Sequence, residues 1–177
     1  MKKLKLLILI LSLQLLFISS VQAKCNLELF QFGSSQEELK NDLKLDEGLF
    51  MPAMGGESFQ VLFVPGEEVC KNEKVFEGAP IHFLFLYDKL VEIQTKRLSE
   101  KPTLIDWAES IYGEKQNKPN SFYDDRPNAQ WLWDNSNATI AYSIHPDANE
   151  VVESIIIQSS KHQQYFEKFA EEEEGSK

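Results

Sequence analysis

Cysteine and histidine are scarce in this sequence, and those present do not form ligand patterns. Two cysteines and three histidines occur among 177 residues, and no pair of them has the short spacing of zinc ligands. The acidic runs lack the alternating oxygen ligands and the central glycine of a calcium loop. We therefore expect neither a metal nor a cofactor.

Enzyme motifs are also missing. The sequence has no Gly-x-x-x-x-Gly-Lys-Ser/Thr phosphate loop. Gly56–Ser58 is only the first half of a nucleophile elbow, and it precedes a predicted strand instead of joining a strand to a helix. An envelope hydrolase that uses His82 or His145 with a nearby carboxylate stays open as an alternative. The favoured class is a protein without catalysis.

Basic residues are few relative to acidic ones. Lys and Arg number 18 against 28 Asp and Glu, which gives a net charge of −10. Residues 1–23 hold three lysines and no acid, so the chain without them has 15 basic against 28 acidic residues, a net charge of −13. Such a surface repels nucleic acid and anionic lipid. It would steer a cationic protein partner, although it also serves solubility.

The N-terminus resembles a secretory signal peptide. Three lysines within the first five residues precede a short apolar run, Leu6–Ile18, and Val21–Ala23 offers compact residues to a signal peptidase. The run is short for a membrane span. We predict that residues 1–23 are a signal peptide cleaved after Ala23, and that the mature protein lies in the periplasm or is secreted, without a stable membrane anchor.

Cys25 follows the cleavage site, and the chain has one other cysteine, Cys70. Lys24 separates Cys25 from the cut, which argues against a lipid anchor. In an oxidising compartment the simplest outcome is a Cys25–Cys70 disulfide across 45 positions, worth about 4 kcal/mol in the loop-entropy model. Two free thiols, or a bridge to another chain, remain alternatives.

Hydrophobic periodicity predicts a helix and three strands, twice, and then a C-terminal helix. A capping box opens the first helix, with Ser34 and Glu37 or Ser35 and Glu38 as the pair. The second helix begins near residues 102–103, and the third spans about residues 160–172 and ends in an acidic run that should fray. The predicted strands are 59–63, 81–87, 91–95, 130–133, 139–144 and 151–158.

This order predicts an α+β fold, a tandem repeat of a helix followed by a three-stranded antiparallel meander, with a C-terminal helix. The first half is residues 24–98 and the second is residues 99–177. The run FGSSQEEL, followed by a meander, resembles small periplasmic modules: the β-lactamase inhibitory proteins in tandem form and the outer-membrane assembly factor BamE in single form. The resemblance implies protein binding without catalytic residues, and this chain lacks BamE's lipid-anchor cysteine.

Two long segments, 46–58 and 114–129, each follow a helix and precede the first strand of a meander. Long irregular loops are often functional, and methionine, tyrosine and arginine are common interface anchors. The candidate partner-binding residues are Phe50, Met51, Met54, Phe122, Tyr123 and Arg126. Phe50 and Phe122 could instead plug the core, and the Trp131/Trp133 face is either core or a stacking platform.

We therefore predict an exported, non-enzymatic binding protein. Its expected partner is another envelope or extracellular protein, with a basic one favoured by charge and nucleic acid excluded. The alternatives are an envelope hydrolase and an inhibitor of a cationic cell-wall-degrading enzyme.

Overall fold

The computed structural model describes most of the chain after residue 23. The described residues are 24–49, 51–53, 58–114, 129–147 and 149–175, with the backbone alone for 51–53 and 129–131. The predicted signal peptide therefore lies outside the described residues. None of the helices in the described ranges is long and apolar enough to cross a membrane.

Seven antiparallel strands form one sheet, and helices accompany it, so the predicted α+β class is confirmed. The strands are β1 Met51–Ala53, β2 Phe59–Val64, β3 Ile81–Leu86, β4 Lys89–Ser99, β5 Ala129–Asp134, β6 Ala138–Asp147 and β7 Glu150–Ser159. Their order across the sheet is β1-β2-β3-β4-β7-β6-β5. The central pair, β4 and β7, runs from Glu92 opposite Gln158 to Ser99 opposite Val151. This long pairing joins the two halves of the chain.

Four α-helices lie within the described residues. They are α1 Gln36–Leu43, α2 Gly66–Val69, α3 Leu104–Tyr112 and α4 Gln163–Gly175, with short 3₁₀ turns at Leu27–Leu29, Glu47–Leu49, Lys74–Phe76 and Ser160–His162. Helices α1, α3 and α4 match the three predicted helices. Because α4 continues through the acidic run to Gly175, the expected fraying of that end stays a prediction.

The tandem repeat also stays a prediction. The order β2-β3-β4 mirrors the order β5-β6-β7 on either side of the central pair. The first unit nevertheless carries an additional edge strand, β1, and α2 interrupts it between β2 and β3. These additions have no counterpart among the described residues of the second unit.

One face of the sheet carries the hydrophobic core. Its central row crosses six strands, with Leu62, Phe83, Ile93, Ile157, Ile140 and Trp133 side by side. All six side chains are at most 3% exposed and belong to the core cluster. Leu39 of α1 and Leu104 and Trp107 of α3 join the same cluster, so these two helices cover this face. We call it the core face.

Local side-chain chemistry fixes the start of α1. Ser35 is the N-cap: its hydroxyl accepts from the backbone N–H of Glu38, and the Glu38 carboxylate accepts from the backbone N–H of Ser35. Of the two capping boxes that the sequence allows, the structure therefore uses Ser35 and Glu38. The backbone hydrogen bonds also lower the pKa of Glu38, because they favour its charged form.

The Cys25–Cys70 disulfide is present, with an S–S distance of 1.97 Å and Cα atoms 5.4 Å apart. It ties the N-terminal segment to the end of α2. The backbone carbonyl of Cys25 also accepts a hydrogen bond from Nε1 of Trp107 at 3.2 Å. Two links of different kinds therefore hold this segment against α2 and α3. The intramolecular bridge is the alternative that the structure supports.

Two local predictions need correction. The predicted strand 81–87 ends at Leu86, and Tyr87–Asp88 forms the turn to β4, because both residues take positive φ angles, 51° and 56°, as a tight hairpin requires. The backbone N–H of Tyr87 donates to the Ser58 carbonyl, which fixes this unexpected conformation. The first predicted loop is not wholly irregular either. It contains the 3₁₀ turn Glu47–Leu49 and strand β1, which pairs with β2.

Gly33 occupies a position that other residues fit poorly. Its φ angle is +89°, and a Cβ there would lie 2.7 Å from Nε2 of His162. Its backbone N–H donates to the carbonyl of Leu90, which links the segment before α1 to β4. The glycine is thus required both by backbone conformation and by close packing.

We expect Gly33→Ala to lower the free energy of unfolding by about 1–2 kcal/mol, since a non-glycine residue at positive φ is strained. Urea unfolding of the single variant and of the same change in a His162→Ala background separates the two causes. Removal of the imidazole should recover the steric part of the loss and leave the backbone part. A stability equal to that of the wild type would contradict the packing described.

Candidate binding face

The other face of the sheet is only partly covered. Three rows of side chains lie on it at successive levels of the strands. None of these side chains is fully buried. We call these three rows the open face. The first row is Phe63, His82, Gln94, Ile156, Ala141 and Leu132, the second row is Lys96, Ser154 and Ser143, and the third row is Leu98, Val152 and His145. The first row crosses six strands and is about 24 Å wide at normal strand spacing.

Helix α4 packs on this side of the sheet at one end, beyond the open face. The ring of Phe169 stacks on Phe59 of β2 with centroids 5.6 Å apart. Tyr165 and Lys168 contact the ring of Tyr87, with the Lys168 Nζ 3.8 Å from the ring centroid. Leu86, paired with Phe59, is 1% exposed. No residue of α4 is itself buried, and in the three rows Lys96 and Leu98 are exposed while the other side chains are half-buried.

The open face combines apolar side chains with neutral and basic polar groups. Phe63, Ile156 and Leu132 contribute apolar surface in the first row, and Leu98 is 53% exposed in the last. In the middle row the hydroxyls of Ser143 and Ser154 lie 2.7 Å apart and form a hydrogen bond across β6 and β7. The three rows contain no Asp or Glu, although acids outnumber bases in the chain, and the exposed Asp147 and Glu150 follow on the same side of β6 and β7.

His82 is the aromatic polar group of the first row. Its ring meets that of Phe63 edge-on, with centroids 4.2 Å apart. Burial lowers its pKa, because the charged imidazolium loses hydration there. A neutral imidazole offers one donor and one acceptor, so at neutral pH His82 suits a polar contact within an apolar surface.

Glu92 lies one level above the first row, between the open face and the end covered by α4. It is 8% exposed, and its two oxygens accept from the amides of Gln94 and Gln158. Burial raises the pKa of Glu92, and the hydrogen bond from Gln94 opposes that shift. The carboxyl group of Glu92 is thus held by two uncharged amide donors.

We expect Glu92 to make the stability depend on pH. Its pKa is raised above the ordinary 4.5 in the folded state, so its contribution is fully present below that value and is lost as pH rises through the folded pKa. The free energy of unfolding of the wild type should therefore increase, relative to Glu92→Gln, as pH falls from neutral. Urea titrations of both proteins at matched pH values give this difference, and two parallel curves would contradict the assignment.

The remaining histidines are placed apart. His145 ends one row of the open face opposite Val152. His162 Nδ1 lies 2.6 Å from the hydroxyl of Ser159, while its Nε2 lies against Gly33. Ser159 is 1% exposed, and the pair lies at the wall of a surface cavity of about 490 Å³ that Glu28, Phe30 and Lys161 also line. Within the described ranges, no group of three or more His, Cys, Asp or Glu residues could hold a metal ion.

Comparisons with known proteins leave the open face without a counterpart. No protein family model, no curated protein and no solved structure matches this chain. The resemblance to the β-lactamase inhibitory proteins and to BamE therefore stays a prediction. What the open face does has to be inferred from its own residues.

Most residues predicted to bind a partner cannot be placed. Those outside the described residues are Phe50, Met54, Phe122, Tyr123 and Arg126. Met51 begins β1, opposite Phe63 of the open face, so the first predicted loop borders this face. The role of these residues remains a prediction.

Trp133 is part of the core. It is 3% exposed, and its Nε1 donates to the carbonyl of Gly113 at 3.0 Å. The core interpretation is thus confirmed for Trp133, while the side chain of Trp131 lies outside the described residues.

Sequence reasoning missed the open face as a site. One feature of β7 could have indicated it: Ile155, Ile156 and Ile157 are consecutive. Successive side chains of a strand point to opposite faces of the sheet, so Ile156 lies on the face opposite to that of Ile155 and Ile157. An apolar residue on each side predicts two packing surfaces, one of which the core uses.

Proposed function

We propose that this protein is exported and binds another protein through the open face, without catalysis of its own. The observation that carries the proposal is a partly exposed sheet surface whose three rows hold apolar side chains and no Asp or Glu, on an acidic protein. Contiguous apolar patches on a protein surface typically mark interaction sites, and the centres of interfaces are poor in charged residues. A rigid antiparallel sheet also presents such side chains in fixed positions.

Export is supported by two features of the chain. Residues 1–23 have the charge and apolar pattern of a signal peptide. The Cys25–Cys70 disulfide is consistent with maturation in an oxidising compartment. Because the bridge begins at the second residue after the predicted cleavage site, cleavage would leave the mature N-terminus tied to the domain.

Affinity capture tests the binding function. The bait is residues 24–177, carrying the disulfide, and the source is an envelope or culture extract from cells that make the protein. We expect the wild type to retain a specific partner and Ser154→Arg to lose it, because the new side chain places charge and bulk at the centre of the open face. Both proteins should show the same thermal unfolding midpoint within about 2 °C.

The matched control is Ser160→Arg, the same change at an exposed serine outside the open face. This variant should capture the partner like the wild type. The double variant Tyr123→Ala/Arg126→Ala tests whether the second predicted loop takes part. If Ser154→Arg retains the partner while the loop variant loses it, the loops and not the open face form the binding site.

A further inference from the structure

We infer that the open face selects a partner segment that presents an Asp or Glu side chain between apolar residues. This inference rests on the proposed binding function and adds the chemistry of the partner. It comes from the order of the three rows. The first row, whose apolar members include Phe63, Ile156 and Leu132, lies above Lys96, Ser154 and Ser143, and Leu98 and Val152 lie below.

Lys96 is the charged centre of this arrangement. It is exposed, and its neighbour on β7 is Ser154, whose hydroxyl pairs with that of Ser143. No carboxylate in the described part of the chain forms a salt bridge with Lys96. The ammonium group, and the hydroxyl proton that the Ser143–Ser154 hydrogen bond leaves free, can together donate to a single carboxylate.

The acids on this side of the sheet lie beyond the three rows, with Glu92 and Asp134 above them and Asp147 and Glu150 below them. Glu92, one level above the first row, accepts from two glutamine amides. Glu153 follows Val152 on β7 but points to the core face, where it is fully buried. A partner carboxylate placed at Lys96 therefore meets donors on the face itself, while its flanking side chains meet apolar rows.

The net negative charge of the chain favours a basic partner instead of an acidic one. An acidic surface steers cationic proteins at long range, but that attraction is screened beyond about 8 Å at physiological ionic strength. Contacts inside an apolar interface are screened less, so the local charge at Lys96 decides which side chain fits. A basic partner is the competing outcome of the test.

The probe is a random dodecapeptide phage library, selected on immobilised residues 24–177 and eluted with soluble protein. We expect the selected sequences to combine Asp or Glu with aromatic or aliphatic residues. Synthetic copies should bind Lys96→Glu at least about tenfold more weakly than the wild type, because a charge-assisted contact becomes a repulsion. Lys96→Gln should give a smaller loss.

The control is Lys101→Glu, the same charge reversal at an exposed lysine outside the three rows, which should change affinity by less than about twofold. Basic peptides that bind Lys96→Glu as well as the wild type, but lose binding to Ser154→Arg, would overturn the partner chemistry and leave the proposed function standing. Peptides that bind all these variants equally would overturn both. Failure to enrich any peptide over an uncoated surface would also count against both.

Discussion

Glu153→Gln should lower the free energy of unfolding by about 2–3 kcal/mol, although it changes a single atom type in the side chain. Glu153 is fully buried on the core face, and both of its oxygens accept hydrogen bonds. The backbone N–H groups of Thr103 and Leu104 donate at 2.8 and 2.9 Å, and the Tyr142 hydroxyl donates at 2.9 Å. These amides begin α3, so a carboxylate from β7 caps this helix. The Thr103 side chain makes no cap bond of its own.

The loss is expected because glutamine replaces one acceptor with a donor. Its NH₂ group would face the N–H of Thr103 or of Leu104, which leaves a buried donor unpaired. The favourable charge at the helix N-terminus is lost as well. Urea unfolding measures the effect, with Glu150→Gln on the exposed start of the same strand as the control. A Glu153→Gln protein as stable as the control would contradict the capping role.

Replacing both cysteines, in Cys25→Ala/Cys70→Ala, should lower the free energy of unfolding by about 2–4 kcal/mol. The bridge closes a loop of 45 positions. Its removal raises the conformational entropy of the unfolded chain more than that of the folded chain, and so favours unfolding. In the folded state the N-terminal segment would keep the Trp107 hydrogen bond and the burial of Leu27. We therefore expect a folded but less stable protein.

Urea unfolding of the oxidised wild type, the reduced wild type and the double variant measures the loss. Reduction of the wild type should reproduce the stability of the double variant. Alkylation of the native protein without reductant should label neither cysteine. Two labelled thiols, or a disulfide-linked dimer, would show that the bridge is not intramolecular.

Elements set by neighbouring residues were predictable from the sequence. The Ser35–Glu38 capping box uses chemistry within one helical turn. All six predicted strands occur, within a few residues of their predicted bounds, because alternation of apolar side chains identifies them. The disulfide followed from the presence of only two cysteines.

Features that depend on distant partners were not predictable. The cap of α3 comes from Glu153, about 50 residues further along the chain, and nothing near Thr103 indicates it. Glu92 alternates with Val91 and Ile93 in the sequence as a solvent-facing residue would, yet it is 8% exposed, because β4 lies at the centre of the sheet. The strand β1 contains Pro52, which is typical of an edge and weakens the pattern of a strand.

The candidate site depends on tertiary arrangement in the same way. Alternation tells which residues of a strand share a side, but not which side the helices cover. Lys96, Ser154 and Ser143 become neighbours only when β4, β7 and β6 lie side by side in register. Their positions in the sequence, up to 58 residues apart, carry no sign of this row.

The most direct test of the open face is site-specific photocrosslinking in cells that make the protein. A photoreactive p-benzoylphenylalanine replaces Leu98 in the last row of the open face, Tyr123 in the second predicted loop, or the exposed Lys101 outside both. We predict a discrete protein adduct from position 98 and none from position 101. Equal adducts from positions 98 and 101, or an adduct from position 123 with none from 98, would contradict binding through the open face.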